Sequence, residues 1–344
     1  MLIQSDSILQ EQFPLKSFNT FGMDVHARFF ASFQSLDVLR HLLSLTSCRE
    51  MPLLILGGGS NILFTADFQG VVLKNEIGGI TVESEDEDHV YVRAGAGVSW
   101  HQLVMDTLNT GFHGLENLAL IPGSVGAAPM QNIGAYGVEL KDLFHSLEAI
   151  RISDGEKFHF TNEDCAFGYR DSIFKQAYKN QFIITSVLFR LYKKQHLKTH
   201  YGSIGAELAD CPDSEINSMA VARAVMRIRQ SKLPDPAILG NAGSFFKNPE
   251  IDLAQFEQLK NQFPDMVAYP SGTDKMKLAA GWLIEKAGWK GVRRGDAGCH
   301  DKQALVLVNH GLAKGIDVFT LSEAIIDSVH AMFGVYLHRE VNVY

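Results

Sequence analysis

Cysteine is scarce in this 344-residue chain. Cys48, Cys165, Cys211 and Cys299 lie far apart, with no C-x-x-C pair among them. Such spacing excludes a disulfide framework and a zinc finger, and it suits a reducing compartment. Positive charge is also short, with 31 Lys and Arg against 39 Asp and Glu and a formal net charge of −8. A nucleic-acid partner, which needs a basic footprint, is thereby excluded; a local basic cluster for a small phosphorylated ligand is not. No apolar run approaches the roughly 18 residues of a membrane span, and no basic start leads into an apolar core. The expectation is a cytoplasmic protein without membrane insertion. His196 and His200 have i,i+4 spacing but no acidic or third ligand nearby, so no metal site is expected. No internal repeat occurs.

What is present is an apolar fraction of 46%, enough for a sizeable core in two or three domains. One stretch stands out, residues 121–137, IPGSVGAAPMQNIGAYG, rich in Gly and Ala and free of charge. Gly and Pro make it a poor helix and a poor strand. It suits a backbone that approaches something flat or anionic and offers N–H groups. A buried inter-domain loop is the plainer reading. A second glycine loop, GGGSN at 57–61, follows the short apolar run Leu53–Leu56, which reads as a strand buried on both faces. Exposed consecutive amides there make a phosphate cradle, but no helical pattern follows, so it is neither a Rossmann fingerprint nor a Walker loop. Gly95-Ala-Gly97 imitates the Rossmann pattern, but Trp100 occupies the position that must be small.

The remaining chain alternates short strands and helices. Residues 1–14 read as a polar leader, 83–88 as a solvated acidic hairpin tip, and 100–110 as a helix stopped by Gly111. Strands are expected at 147–152, 156–160 and 182–192, and helices at 218–229, 253–263, 278–287 and 321–333. The last segment, 335–344, alternates as a strand: Val335, Leu337, Val341 and Val343 share one face, interrupted by Arg339, while Glu340 lies on the polar face.

Six motifs in order, GGGSN (57–61), IPGSVGAAPMQNIGAYG (121–137), FGYRDSIFK (167–175), SKLPDP (231–236), GNAGSFFKNP (240–249) and KLAAGWLIEKAGWKG (277–291), resemble the UDP-N-acetylenolpyruvoylglucosamine reductase family. The similarity runs from about residue 15 to the C-terminus. Chain length and the polar insert ending in Tyr201 resemble the longer subclass, in which a tyrosine-bearing loop closes over substrate. The resemblance implies an α+β fold: an FAD-binding domain of the vanillyl-alcohol-oxidase (PCMH) type in two subdomains, plus a C-terminal α+β substrate domain. The expected boundaries are 15–192 for the FAD domain, split near 75, and 193–232 for the tyrosine loop and connecting helix. The substrate domain follows at 233–333, and 334–344 is a terminal strand. FAD is expected to be non-covalent, since these segments carry no His or Cys placed for attachment, with NADPH as hydride donor. The implied reaction reduces UDP-N-acetyl-3-O-(1-carboxyvinyl)-glucosamine to UDP-N-acetylmuramate, for peptidoglycan precursors, in a monomeric enzyme. Two other readings stand beside it: another FAD-dependent sugar or alcohol oxidoreductase of the same fold, and a non-catalytic nucleotide-binding protein.

On the same resemblance, Gly57, Gly58, Gly59, Ser60 and Asn61, with Pro122, Gly123, Ser124, Gly126 and Ala127, wrap the FAD pyrophosphate. Asn132, Gly134 and Tyr136 line the flavin. Ser244 matches the proton donor, Arg170 the arginine on the substrate carboxylate, and Glu340 a glutamate that helps stabilise the intermediate. Tyr201 and Lys232 match residues on the substrate diphosphate; Asn248, Tyr269, Lys277 and Gln303 match positions around sugar and nucleotide. Plainer readings are a capping turn for Ser244, an ion pair with Asp171 for Arg170, and a half-buried surface aromatic for Tyr269. Asn342 stands where the family pattern carries a basic residue.

Overall fold

The computed structural model describes residues 8–344. The first seven residues of the expected polar leader lie outside the described residues; the rest of it includes a strand, Gln10–Pro14. The fold is α+β, and contacts divide the chain into two units. The first comprises residues up to 13, 27–58 and 69–231; the second comprises 14–26, 59–68 and 232–344. Two short segments from the N-terminal part of the chain thus belong to the second unit, and the whole polar insert belongs to the first.

The first unit holds two sheets. One runs Gln10–Pro14, His26–Phe33, Phe68–Asn75, Leu53–Leu56 in spatial order. Leu53–Leu56 lies parallel to Phe68–Asn75, with Leu53 opposite Val71. A parallel pair needs apolar cover, and the helix Leu36–Ser44 supplies it by placing Leu39, Leu42 and Leu43 against Phe33, Val71 and Leu73. Ser35 caps this helix by accepting the Val38 N–H.

The second sheet is antiparallel, in the order Lys157–Thr161, Phe144–Arg151, Phe182–Tyr192, His89–Gly95, Ile80–Glu85. Its middle strand, Phe182–Tyr192, is buried almost throughout, with Arg190 as the one exposed position. The helices Trp100–Asn109 and Ser218–Lys232 contribute to the same core through Trp100, Leu103, Val104, Val221, Val225 and Ile228. The acidic segment is less of a loose tip than its charge implies. The strand continues through Glu85, and Glu83 is bound by Arg93 across the hairpin, which leaves only 86–88 as the turn.

In the second unit the sheet runs Gly240–Ser244, Val306–Asn309, Ala297–Cys299, Arg293–Arg294. The helix Gly315–Phe333 buries Val318, Leu321, Ile325, Ile326, Val329 and Phe333. It starts earlier than its apolar periodicity, because Asp317 accepts the Lys314 N–H and caps the end. A smaller antiparallel sheet, Glu250–Asp252, Lys275–Leu278, Ala268–Ser271, accompanies the helices Leu253–Gln262 and Ala280–Lys286.

The terminal segment keeps its burial alternation, with Val335, Leu337 and Val341 buried and Tyr336 and His338 exposed, but it is not one strand. Residues 338–340 run antiparallel beside 245–247, and Asn342–Val343 pairs parallel with Ile62–Leu63. Arg339 interrupts the apolar face because it has internal partners. Its Nε donates to Ser322 Oγ at 2.8 Å, it pairs with Glu323, and its guanidinium lies 4.5 Å from the Phe319 ring centre.

Candidate active site

The two glycine loops meet within the first unit. Gly58 sits so close to Gly123 that a Cβ on Gly58 would stand 2.8 Å from the Gly123 Cα, and a Cβ on Gly57 would collide with Ser124 Oγ. Only residues without side chains allow this approach. The second loop is anchored behind its contact face, where Trp100 N–H donates to Gly123 O, Val125 N–H to Val98 O and Gly126 N–H to Ala96 O. The amides of Val125 and Gly126 are therefore spent on the fold. Among the described residues the N–H groups of Gly58, Gly123 and Ser124 meet no backbone acceptor. Donors presented by two loops in glycine-to-glycine contact fit an anionic group such as a pyrophosphate. Lys74 adds a cation: its Nζ donates to Gly57 O at 2.6 Å, and burial lowers its pKa from the ordinary lysine value. Its one sequence signal is a lone lysine ending the apolar run GVVL.

The remaining first-loop residues, Gly59, Ser60 and Asn61, belong to the second unit. Gly59 has φ +64 and presses on the Phe18 carbonyl, and its own carbonyl accepts the Thr20 N–H. The chain end fixes the residues after it. Asn342 donates its backbone N–H and its side-chain amide to Asn61 O, Asn61 Nδ2 donates to Glu340 O at 3.3 Å, and Thr65 donates to Tyr344 O. Asn342 is thus a structural tie.

Residues 132–137 have two functions. Asn132 is fully buried at φ +42, donates to Glu139 and to Gly168 O, and accepts the Lys141 N–H. Both polar atoms of its side chain are used in holding the loop. Gly134 makes room for Arg170, whose Nη2 donates to Gly134 O at 2.6 Å. The Asp171 carboxylate accepts from Ser172 N–H and Gln176 Nε2. Tyr136 has φ +50, and burial raises its phenol pKa. Beside Tyr136 and Arg170 lies Arg229, unremarked in the sequence. It donates from Nε to Leu120 O at 3.2 Å, and burial, reinforced by the Arg170 charge, lowers its pKa. Tyr201 lies against Gly137, a Cβ there being 3.3 Å from the tyrosine Cβ and ring, while the residue stays 53% exposed.

In the second unit the structure brings Ser244 and Glu340, 96 positions apart, onto adjacent segments, with Glu340 N–H donating to Phe245 O at 2.8 Å. Ser244 ends the strand Gly240–Ser244 after a register break relative to Val306–Asn309. Gly243, at φ +69, makes the bulge, and Asn241 Oδ1 accepts its N–H at 2.9 Å. Bulges re-aim side chains, and here Ser244 is exposed between buried Ala242 and Phe245. Its hydroxyl makes no hydrogen bond among the described residues, so it is not a capping serine. Asn248 Oδ1 accepts the Ala280 N–H at 3.0 Å, and Gln303 Oε1 lies 3.0 Å from where a Gly281 Cβ would be, so both stand at the start of Ala280–Lys286. Tyr269 and Lys277 face each other across their hairpin, and the exposed Lys232 starts the last segment of the second unit. Arg170 and Tyr201 belong to the first unit, and Ser244, Glu340 and the other expected substrate residues belong to the second.

An FAD-binding domain family model matches residues 27–161, the span containing both glycine loops. Together with the cradle geometry this defines an FAD-dependent oxidoreductase. The model described as UDP-N-acetylenolpyruvoylglucosamine reductase, C-terminal domain, matches residues 235–344. The chain is 50% identical over 336 residues to the UDP-N-acetylenolpyruvoylglucosamine reductase of Pseudomonas fluorescens, covering 98% of this chain and 99% of that one. It is 48% identical over 336 residues to the enzyme of that name from Flavobacterium johnsoniae, covering 97% and 99%. In fold it is similar to the UDP-N-acetylenolpyruvylglucosamine reductase of Thermus caldophilus, with TM-score 0.67, 24% identity and coverage of 98% and 99%. The chain belongs to the UDP-N-acetylenolpyruvoylglucosamine reductase family.

Proposed function

We propose that this enzyme reduces UDP-N-acetyl-3-O-(1-carboxyvinyl)-glucosamine to UDP-N-acetylmuramate, drawing on NADPH and FAD, as a step in peptidoglycan precursor synthesis. When bound, FAD reduced by NADPH would supply a hydride to C3 of the enol ether. The rest falls to the chain. Negative charge develops at C2 and spreads into the neighbouring carboxylate, and in water such an intermediate forms reluctantly. The site must therefore offset that charge and then deliver a proton. Arg170 offers the carboxylate a planar fork, steadied by its bond to Gly134 O. Ser244 gives its hydroxyl proton to C2. A serine is a weak acid, and Glu340 assists as the charge is neutralised. A hydrogen bond donated by Glu340 requires a carboxyl that is protonated or shares a proton. Tyr201 and Lys232 hold the diphosphate, while Asn248, Tyr269, Lys277 and Gln303 hold the sugar and nucleotide. Gly58, Gly123 and Ser124 would hold the FAD pyrophosphate through backbone N–H groups that meet no backbone acceptor among the described residues. The enzyme acts as a cytoplasmic monomer.

The single observation that carries this reading is the Gly243 bulge. It turns the unbonded Ser244 hydroxyl outward beside the segment bearing Glu340, in a chain of this family. A flavin oxidase of the same fold has no need of that pair. The test is two-stage and anaerobic. NADPH should bleach the flavin of the purified holoenzyme, and the enolpyruvyl substrate should restore its colour. A colourless protein that takes up no FAD, or bleached flavin that the substrate leaves bleached, rejects the proposal.

A further inference from the structure

Asn117 is 1% exposed, and its side-chain amide bridges two segments outside its own turn. Nδ2 donates one hydrogen to Tyr136 O and the other to Lys198 O, each at 2.9 Å. The first acceptor belongs to the glycine-rich stretch, the second to the polar insert. Its neighbour Glu116, also 1% exposed, accepts the Gly114 N–H at 2.6 Å and the Ser218 hydroxyl at 3.4 Å. Ser218 N–H in turn donates to Gln195 Oε1 at 3.0 Å. One buried turn, Glu116–Leu118, therefore reaches the insert at Lys198 directly and at Gln195 through Ser218. Three residues beyond Lys198, Tyr201 lies on Gly137, next to the carbonyl that Asn117 holds. Leu197 is the partly buried apolar residue of this segment that joins the core. The rest of 193–200 is polar and gains little from burial, so hydrogen bonds, with exposed ion pairs from Lys193, Lys194 and Lys198 to Glu85, Asp88 and Asp142, decide where it rests.

We propose that Asn117 is a positioning residue: by clamping Tyr136 O to Lys198 O it fixes where Tyr201 stands over the flavin-lining stretch, and so sets affinity for the substrate diphosphate. The inference rests on the reading of Tyr201 as a diphosphate ligand. Removing the amide frees the loop and leaves two carbonyls without their donor, while the atoms that do chemistry are untouched. The expected signature is a raised KM for the UDP-sugar with little change in kcat.

The holoenzyme carrying Asn117→Ala, Asn117→Ser, Tyr201→Ala or both Asn117→Ala and Tyr201→Ala is assayed with the UDP-sugar, and its trypsin cleavage after Lys198 is timed. Asn117→Ala should raise KM about tenfold, the scale of two lost neutral hydrogen bonds, and hasten cleavage. In the Tyr201→Ala background it should add almost nothing to KM. Asn117→Ser keeps one short donor and serves if the alanine variant loses FAD; it should change both readouts in the same direction by less. Raised KM in Tyr201→Ala with wild-type KM in both Asn117 variants overturns the inference alone, as does a fully multiplicative effect in the double variant. Unchanged KM in Tyr201→Ala overturns the diphosphate reading and the inference with it.

Discussion

Gly58 offers a sharp test of the cofactor cradle. A methyl group there would stand 2.8 Å from Gly123 Cα and 3.2 Å from Gly123 C, both backbone atoms. Ordinary carbon–carbon contact is about 3.5–4.0 Å, so the two loops must part by roughly 1 Å. Overpacking of this kind costs about 1–3 kcal/mol, and FAD donors on both loops would carry that cost as a loss of affinity of roughly 5- to 150-fold. Gly57→Ala differs in kind. It meets the Ser124 hydroxyl, and the next nearest atoms are 3.6 Å away, in ordinary contact. Ser124→Ala should therefore rescue Gly57→Ala, whereas no side-chain change should rescue Gly58→Ala. The assay is titration of apoprotein with FAD, followed by quenching of flavin fluorescence, with thermal unfolding as the control for global damage. Wild-type FAD affinity in Gly58→Ala would refute the reasoning. So would a Gly57→Ala, Ser124→Ala pair that binds FAD no better than Gly57→Ala alone.

Two other predictions concern protonation and reactivity. His101 Nδ1 accepts the Leu120 N–H at 3.1 Å, and burial, then the Arg229 charge, hold its pKa below the usual 6.5. A depressed folded pKa means that stability is present above pH 6.5 and declines as pH falls through the folded value. His101→Asn should unfold with a shallower slope just below pH 6.5, where His113 and His300, which burial shifts the same way, still contribute. An unchanged slope contradicts the assignment. Among the cysteines, burial pushes Cys165 and Cys299 up to about 12, and Cys48 is buried, whereas Cys211 is half-buried. Native protein should label rapidly at one thiol, and Cys211→Ser should abolish that phase; a second rapid phase in the variant would show the burial argument to be mistaken.

The parts legible in the sequence are those whose cause is local. Leu53–Leu56 reads as a strand because a continuous apolar run of that length is buried in a sheet, and the glycine loops read as close backbone approaches because nothing else tolerates them. The helix ending at Phe333 was legible from its apolar spacing, but its start depends on a cap supplied by Asp317. Where the cause is a distant partner, sequence gave no sign. The terminal segment alternates like one strand, yet it pairs first with residues 245–247 and then with 62–63, two partners far apart in the chain. Asn132 resembles a ligand residue by motif, and its side-chain partners Glu139, Gly168 and Lys141 are not legible from the sequence. Lys74, Asn117 and Arg229 were missed because each is an unremarkable polar residue whose importance lies in the carbonyl it reaches. Ser244 is the converse case, since its exposure follows from a glycine-made bulge one residue earlier.

The central claim is that hydride addition and proton delivery are divided between the cofactor and Ser244, and one measurement separates them. In rapid anaerobic mixing, Ser244→Ala holoenzyme should be bleached by NADPH at nearly the wild-type rate. Its reoxidation by the enolpyruvyl UDP-sugar should be slower by about 100-fold or more, the usual scale for losing a positioned proton donor. Equal slowing of both half-reactions would show Ser244 to be structural, and normal reoxidation would show that the proton comes from elsewhere.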